Sequence, residues 1–268
     1  MDPLALALAL GALAPPAAPP AAAAVPVAQE TSDKEAKKKR EKEARAAAET
    51  LGKALGDDDP AERRAAIVEA SKLVHPRVIE AVAKALGDAD VGVRREAIDA
   101  LGNKQHEDAL DALRRFARKE RRKLAEDQDT NVTLIRAIGR HADESTTSWL
   151  ARGALEEESF AMREARVFAV ANRRSAESLD ALFDEMARTD ARRVKNHMRA
   201  LRPALTYLSG VDNGDDPARW AAWWRENEKG FEVPAKPPAM PTKLDNAWRR
   251  FWGEGPSYER RKKRGDRG

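Results

Sequence analysis

The chain has no cysteine among its 268 residues. That absence excludes disulfides, thiolate metal sites, a cysteine nucleophile, covalent haem attachment and lipoprotein acylation together. Metal-binding histidine patterns are missing as well. None of His75, His106, His141 and His197 is paired with another ligand at i, i+4 spacing, and there is no His-Glu-x-x-His segment. No Gly-rich loop follows a strand-like run and no Gly-x-Ser-x-Gly elbow occurs, so phosphate cradles and the usual serine nucleophile are absent too. The sequence therefore asks for no cofactor, metal or small-molecule substrate, and the expectation is a chain that is not an enzyme. The Glu156, Glu157, Glu158 run reads as a solvated helix end.

Long apolar runs are scarce. With 35 % charged residues and a mean hydropathy of −0.68, the body of the chain is too polar to be membrane-embedded. The one continuous run, residues 3–14 (PLALALALGALA), has the length of a signal-peptide h-region and is too short to span a bilayer. Small-residue sites such as Ala22-x-Ala24 and Pro26-x-Ala28 follow it, although Asp2 stands where a basic n-region is usual. These features set the expectation that residues 1–28 are a signal peptide and that the protein is exported, periplasmic or extracellular. The alternative is a cytoplasmic protein with an Ala/Pro-rich leader.

What is present is a repeat. Lys53, Ala54, Leu55, Gly56, Asp57, Asp59, Arg63, Arg64, Ala66 and Ile67 recur as Lys84, Ala85, Leu86, Gly87, Asp88, Asp90, Arg94, Arg95, Ala97 and Ile98, and His75 recurs as His106. A period of about 30 residues marks a stacked architecture in which one unit cannot bury its apolar face until a neighbour covers it. Asp59-Pro60 with Glu62 is an N-terminal helix signal, and Asp88 and Asp90 open the equivalent helix. Gly56 and Gly87 are placed to close the preceding helices in a left-handed conformation. Val93, Ile98 and Leu101 form the apolar stripe, with Ala97 and Ala100 small enough for close helix approach. Arg63 and Arg94, equivalent after their caps, are expected to bridge neighbouring turns.

The run Asp88-x-Asp90-x-x-Val93-Arg94-x-x-Ala97-x-x-Ala100-Leu101-Gly102 resembles the HEAT-repeat consensus, in the short form found in phycobilin lyases. The resemblance is clear over residues 53–118 and fades towards residue 228. It implies an all-α, right-handed α-solenoid of helical hairpins used for binding, with no enzymatic activity because the matched residues are structural. Lyase activity by analogy has fold-level support alone.

The organisation follows. A charged segment and capping helix occupies residues 29–55, with Glu35, Glu41 and Glu43 interleaved among Lys37, Lys38, Lys39 and Arg40. The solenoid occupies 56–230: helices over 60–73 and 76–86, 91–102 and 107–123, a looser pair around Leu134 to Leu155, then 160–171 and 175–188, and finally 191–208 and 216–228. Residues 231–268 make a Pro-rich linker, a short helix with Trp248, Phe251 and Trp252 on one side, and a disordered basic tail.

The candidate interaction surface comprises Arg114, Arg115, Arg118, Arg122, Arg192, Arg193, Trp220, Trp223 and Trp224. The tryptophans stand at i, i+3 and i+4, hence on one helical face. They serve either a peptide or glycan partner or the obligatory covering of the stack's end, and the second is the stronger expectation. A protein partner is expected. Nucleic acid is second choice: the formal excess of +4 is small beside 49 Lys/Arg and 45 Asp/Glu, and only local clusters such as Arg114 to Lys123 would serve it.

Overall fold

The computed structural model describes residues 27–254, with side chains from Lys34, so the expected signal-peptide run and the basic tail lie outside the described residues. Among those residues there are thirteen α-helices and no strand. Two units are distinguished, Met1–Lys42 and Glu43–Gly268. In the first, Lys34 to Lys42 are helical and fully exposed, as their charge demands. They belong to α1 (Val27–Ala54), whose later residues Ala44 and Leu51 are buried in the second unit.

The second unit is a two-layer stack of hairpins. Its first layer consists of α2 (Pro60–Ala70), α4 (Val91–Gly102), α7 (Gln128–Arg140), α9 (Phe160–Asn172) and α11 (Ala191–Ser209), each packed on the next. In the second layer α3 (Pro76–Lys84) packs on α5 (Glu107–Lys119), and α8 (Glu144–Ala151) on α10 (Ala176–Arg188). The expected order of hairpins is present, and this unit is an all-α solenoid over its described residues.

The helix starts follow the sequence signals. The Asp59 carboxylate accepts from the Ala61 N–H at 2.8 Å, and Asp90 accepts from Val93 at 2.9 Å. His75 and His106 are N-caps of α3 and α5: the Nδ1 of each accepts a backbone N–H two residues on, at 3.3 and 3.2 Å. The recurring histidine is thus a capping residue, consistent with its place at a turn.

The closures differ from expectation. Gly56 and Gly87 are not left-handed; the chain leaves α3 through a 3₁₀ turn, Ala85–Gly87, and Leu86 is buried there. A left-handed closure occurs instead at Gly210, with φ +80°. Gly102 and Gly139, at the ends of α4 and α7, are sites of close helix approach in the first layer. A Cβ on Gly102 would lie 2.6 Å from the Ala137 Cβ, and one on Gly139 would lie 2.5 Å from the Ala169 Cβ. The helix expected over 107–123 also breaks, at Glu120, and resumes as α6 (Arg121–Glu126), a turn that buries Leu124.

Beyond α11, α12 (Pro217–Asn227) and α13 (Thr242–Phe251) finish the described chain. The intervening segment is no free tether. The guanidinium of Arg174 donates to the carbonyls of Pro234, Ala235 and Lys236, and α13 packs on α11.

Candidate functional site

One edge of the stack is a ladder of arginines. Arg63 Nη1 donates to the carbonyls of Asp57 and Asp58 at 2.8 and 3.2 Å, while its Nε and Nη2 grip the Asp88 carboxylate of the next turn at 2.9 and 2.8 Å. Arg94 repeats the first half, donating to Asp88 and Ala89 carbonyls at 2.9 Å each, and its neighbour Arg95 reaches Asp127 at 2.9 Å. These arginines bridge neighbouring turns, as their position after the caps predicts. The Arg63 hydrogen bond holds the Asp88 carboxyl below the usual carboxylate range.

The expected tryptophan surface is largely interior. Trp220 is fully buried and its Nε1 donates to the Gly214 carbonyl at 2.8 Å. Trp224 is buried and stacks on Phe183 of α10, with ring centroids 5.1 Å apart, while half-buried Trp223 meets Phe231 edge-on at 5.4 Å. Arg202 supports this closure from α11, since its guanidinium binds Asp212 at 2.7 Å and Asp215 at 3.0 Å across the loop before α12. The three rings cover the end of the hairpin stack.

The arginine candidates fall at two levels of the stack. Arg115, Arg118 and Arg122 are exposed on α5 and α6, which pack on α3, α4 and α7. Arg192 and Arg193 are exposed on the first turn of α11, which packs on α9, α10, α12 and α13. Arg114 is committed to Asp143 at 2.7 Å.

One concavity was not anticipated. A groove of about 1160 Å³ runs along the first layer from Val68 of α2 past Asp99 of α4 and Arg136 and Arg140 of α7, and ends at Pro237, Pro238, Met240 and α13. Asp99 accepts from Arg140 at 2.9 Å and Arg136 at 3.4 Å, so the floor is polar, with one carboxylate shared by two guanidiniums. The closing wall is aromatic: Trp248 stacks on Tyr207 with centroids 4.0 Å apart and lies 5.0 Å from Phe168, and Trp252 meets Phe251 edge-on at 4.8 Å. The Nε atoms of Arg136 and Nε1 of Trp252 are buried donors with no acceptor among the described residues. The aromatic pattern of α13 was visible in the sequence. Its docking place was not, because Phe168, Arg174 and Tyr207 carry no periodic signal that links them to it.

Among the described residues no cluster of His, Asp and Glu suits a metal ion, and no helix is long and apolar enough to cross a membrane. His141 is the most enclosed histidine. Burial holds its pKa below the ordinary imidazole value, and its Nε2 lies 3.2 Å from the Leu101 carbonyl.

A layered stack of hairpins with a polar ladder on one edge and an aromatic closure defines an α-solenoid of repeat type. Residues 48–126 match the family model for HEAT repeats, so this stretch of the stack is similar to HEAT repeats. A comparison with curated proteins returned no match.

Proposed function

We propose that this protein is a non-enzymatic interaction scaffold that docks an extended segment of a protein partner in the first-layer groove. The observation that carries this reading is the groove itself. It crosses three successive helices, exceeds the roughly 300–1000 Å³ of small-ligand pockets, and offers an aromatic wall beside a polar floor. HEAT repeats as a class support a protein partner. The ionisable groups of the groove floor are engaged with one another, which suits recognition by shape and hydrogen bonds rather than proton transfer.

The test is site-specific photocrosslinking in the full chain. A probe at Val68 or Asn103 should capture a discrete protein, and a probe at Arg118 on α5 should capture less. Binding to duplex DNA that weakens steeply with salt and is lost in an Arg118→Ala/Arg122→Ala variant would instead establish the nucleic-acid reading. Export is part of the proposal and rests on residues 3–28 of the sequence alone. N-terminal sequencing of the protein from fractionated cells should find a chain lacking Met1 outside the cytosol, and intact Met1 in the cytosol would reject it.

A further inference from the structure

Arg163 occupies the same station in α9 that Arg63 occupies in α2 and Arg94 in α4, four residues after the cap. All three hold the loop behind them in the same way. The Nη2 of Arg163 donates to the carbonyls of Glu157 and Glu158 at 2.6 and 3.3 Å, matching Arg63 on Asp57 and Asp58 and Arg94 on Asp88 and Ala89. The forward half of the contact differs. Where the Nε of Arg63 meets Asp88, the Nε of Arg163 has no acceptor among the described residues, although the side chain is only 7 % exposed. Arg188, the last residue of α10, holds the sequence place that Asp88 has in the first repeat, and the charges that act on Arg163 are Arg193 and Glu157.

Burial, reinforced by the Arg193 charge, lowers the Arg163 pKa. A guanidinium this enclosed is costly when it forms no ion pair of its own and Glu157, the carboxylate that acts on it, is held by Arg166, and an anion supplied from outside relieves that cost. A cavity of about 270 Å³ opens over the residue, lined by Arg163, Arg193, Asn196, His197 and the Glu156–Glu158 loop. Its size admits one side-chain group. Glu157 is held by Arg166 at 2.7 Å, and His197, its pKa lowered by burial and by the two arginines, leaves the positive charge to Arg163 and Arg193. Three carboxylates at the rim oppose a multiply charged anion such as phosphate. A single negative charge is tolerated, as the repeat's own Arg63–Asp88 pair demonstrates.

We infer that the cavity between the α8–α9 loop and the first turns of α11 is a carboxylate-binding site anchored by Arg163. The carboxylate comes from a small organic acid or from an acidic side chain of a protein partner, and it completes the rung that Asp88 completes in the first repeat. The inference is independent of the first-layer groove, which shares none of these lining residues.

The experiment follows the arginine Nε–Hε signals of the ¹⁵N-labelled full chain by NMR. Probes are sodium acetate and a blocked Gly/Ser hexapeptide with one Asp, each titrated at constant ionic strength against sodium chloride. The Arg163 signal should shift and saturate while that of Arg63 stays in place. Arg163→Lys keeps the charge but not the guanidinium, and read through the Nε–Hε signal of Arg193, which lines the same cavity, it should weaken binding at least about tenfold. Saturation by acetate identifies a small-acid site, and saturation by the peptide alone identifies a partner's side chain. An equal shift with chloride, or no saturable shift with either probe, would overturn the inference. A Glu156→Gln/Glu158→Gln variant supplies the remaining check. If it alone moves the unliganded Arg163 signal as far as acetate does, the carboxylate is the protein's own and the inference fails.

Discussion

Helices α2 to α5 and helices α9 to α13 solve the same problem by different means. In the earlier region each hairpin has a successor, so the seam is closed locally and repeatedly: Asp caps, an Arg63–Asp88 rung, and alanines between the helices. In the later region the stack ends, and the last hairpin must be covered by chain that does not repeat. There the closure is aromatic and long-range, with Trp220 and Trp224 against α10 and α11 and Trp248 returning to Phe168. The lesson is that periodic polar contacts suffice only where a neighbour exists. At the end, burial of large rings takes over.

The largest effect that would sharpen this contrast is expected from Trp220→Ala. Removing a fully buried ring should cost about 3–5 kcal/mol, read from denaturant midpoints, and a cost near 1 kcal/mol would deny the closure its role. Trp248→Ala is next. It removes the ring between Phe168 and Tyr207, so residues 231–254 should lose amide-exchange protection while α2 to α5 keep theirs. Equal loss in both regions would erase the distinction between them.

A smaller effect distinguishes two glycines that look alike in sequence. Gly139→Ala drives a Cβ against Ala169 and should cost about 1–3 kcal/mol. Gly87→Ala meets nothing within 4 Å and has no positive φ, so it should be neutral or stabilising by about 0.5 kcal/mol. The smallest effect concerns pH. The folded Asp88 pKa is depressed, chiefly by its hydrogen bond from Arg63, so its contribution is present above the unfolded value of about 3.9 and is lost as pH falls through the folded value. An Asp88→Asn variant should therefore show a shallower loss of stability in that acid window. The exposed Arg45–Glu49 pair, removed by Glu49→Gln, should change the profile little.

Much of the fold was legible because its signals are local. The caps Asp59 and Asp90, the recurring histidines and the apolar stripe of α4 follow from chemistry within a few residues of one another. The site was less legible. Arg114 and Arg122 stand out by density of charge, yet Arg163 and the Asp99–Arg140 floor become notable only through neighbours about 30 or more residues away. Glycine was misread for the same reason: Gly102 and Gly139 are needed for what lies opposite them, and nothing adjacent in the chain reveals that.

Sequence alone determined the helical hairpins, their order, the capped starts and the arginine rungs, since each depends on hydrogen bonds and apolar spacing within one unit or between identical neighbours. Tertiary structure alone decided that the Pro-rich segment is clamped by Arg174, that α13 walls a groove, and that the Arg163 Nε is buried with no acceptor among the described residues. The physical reason is that these contacts join stretches with no shared period, so their partners are set by where the finished stack brings them.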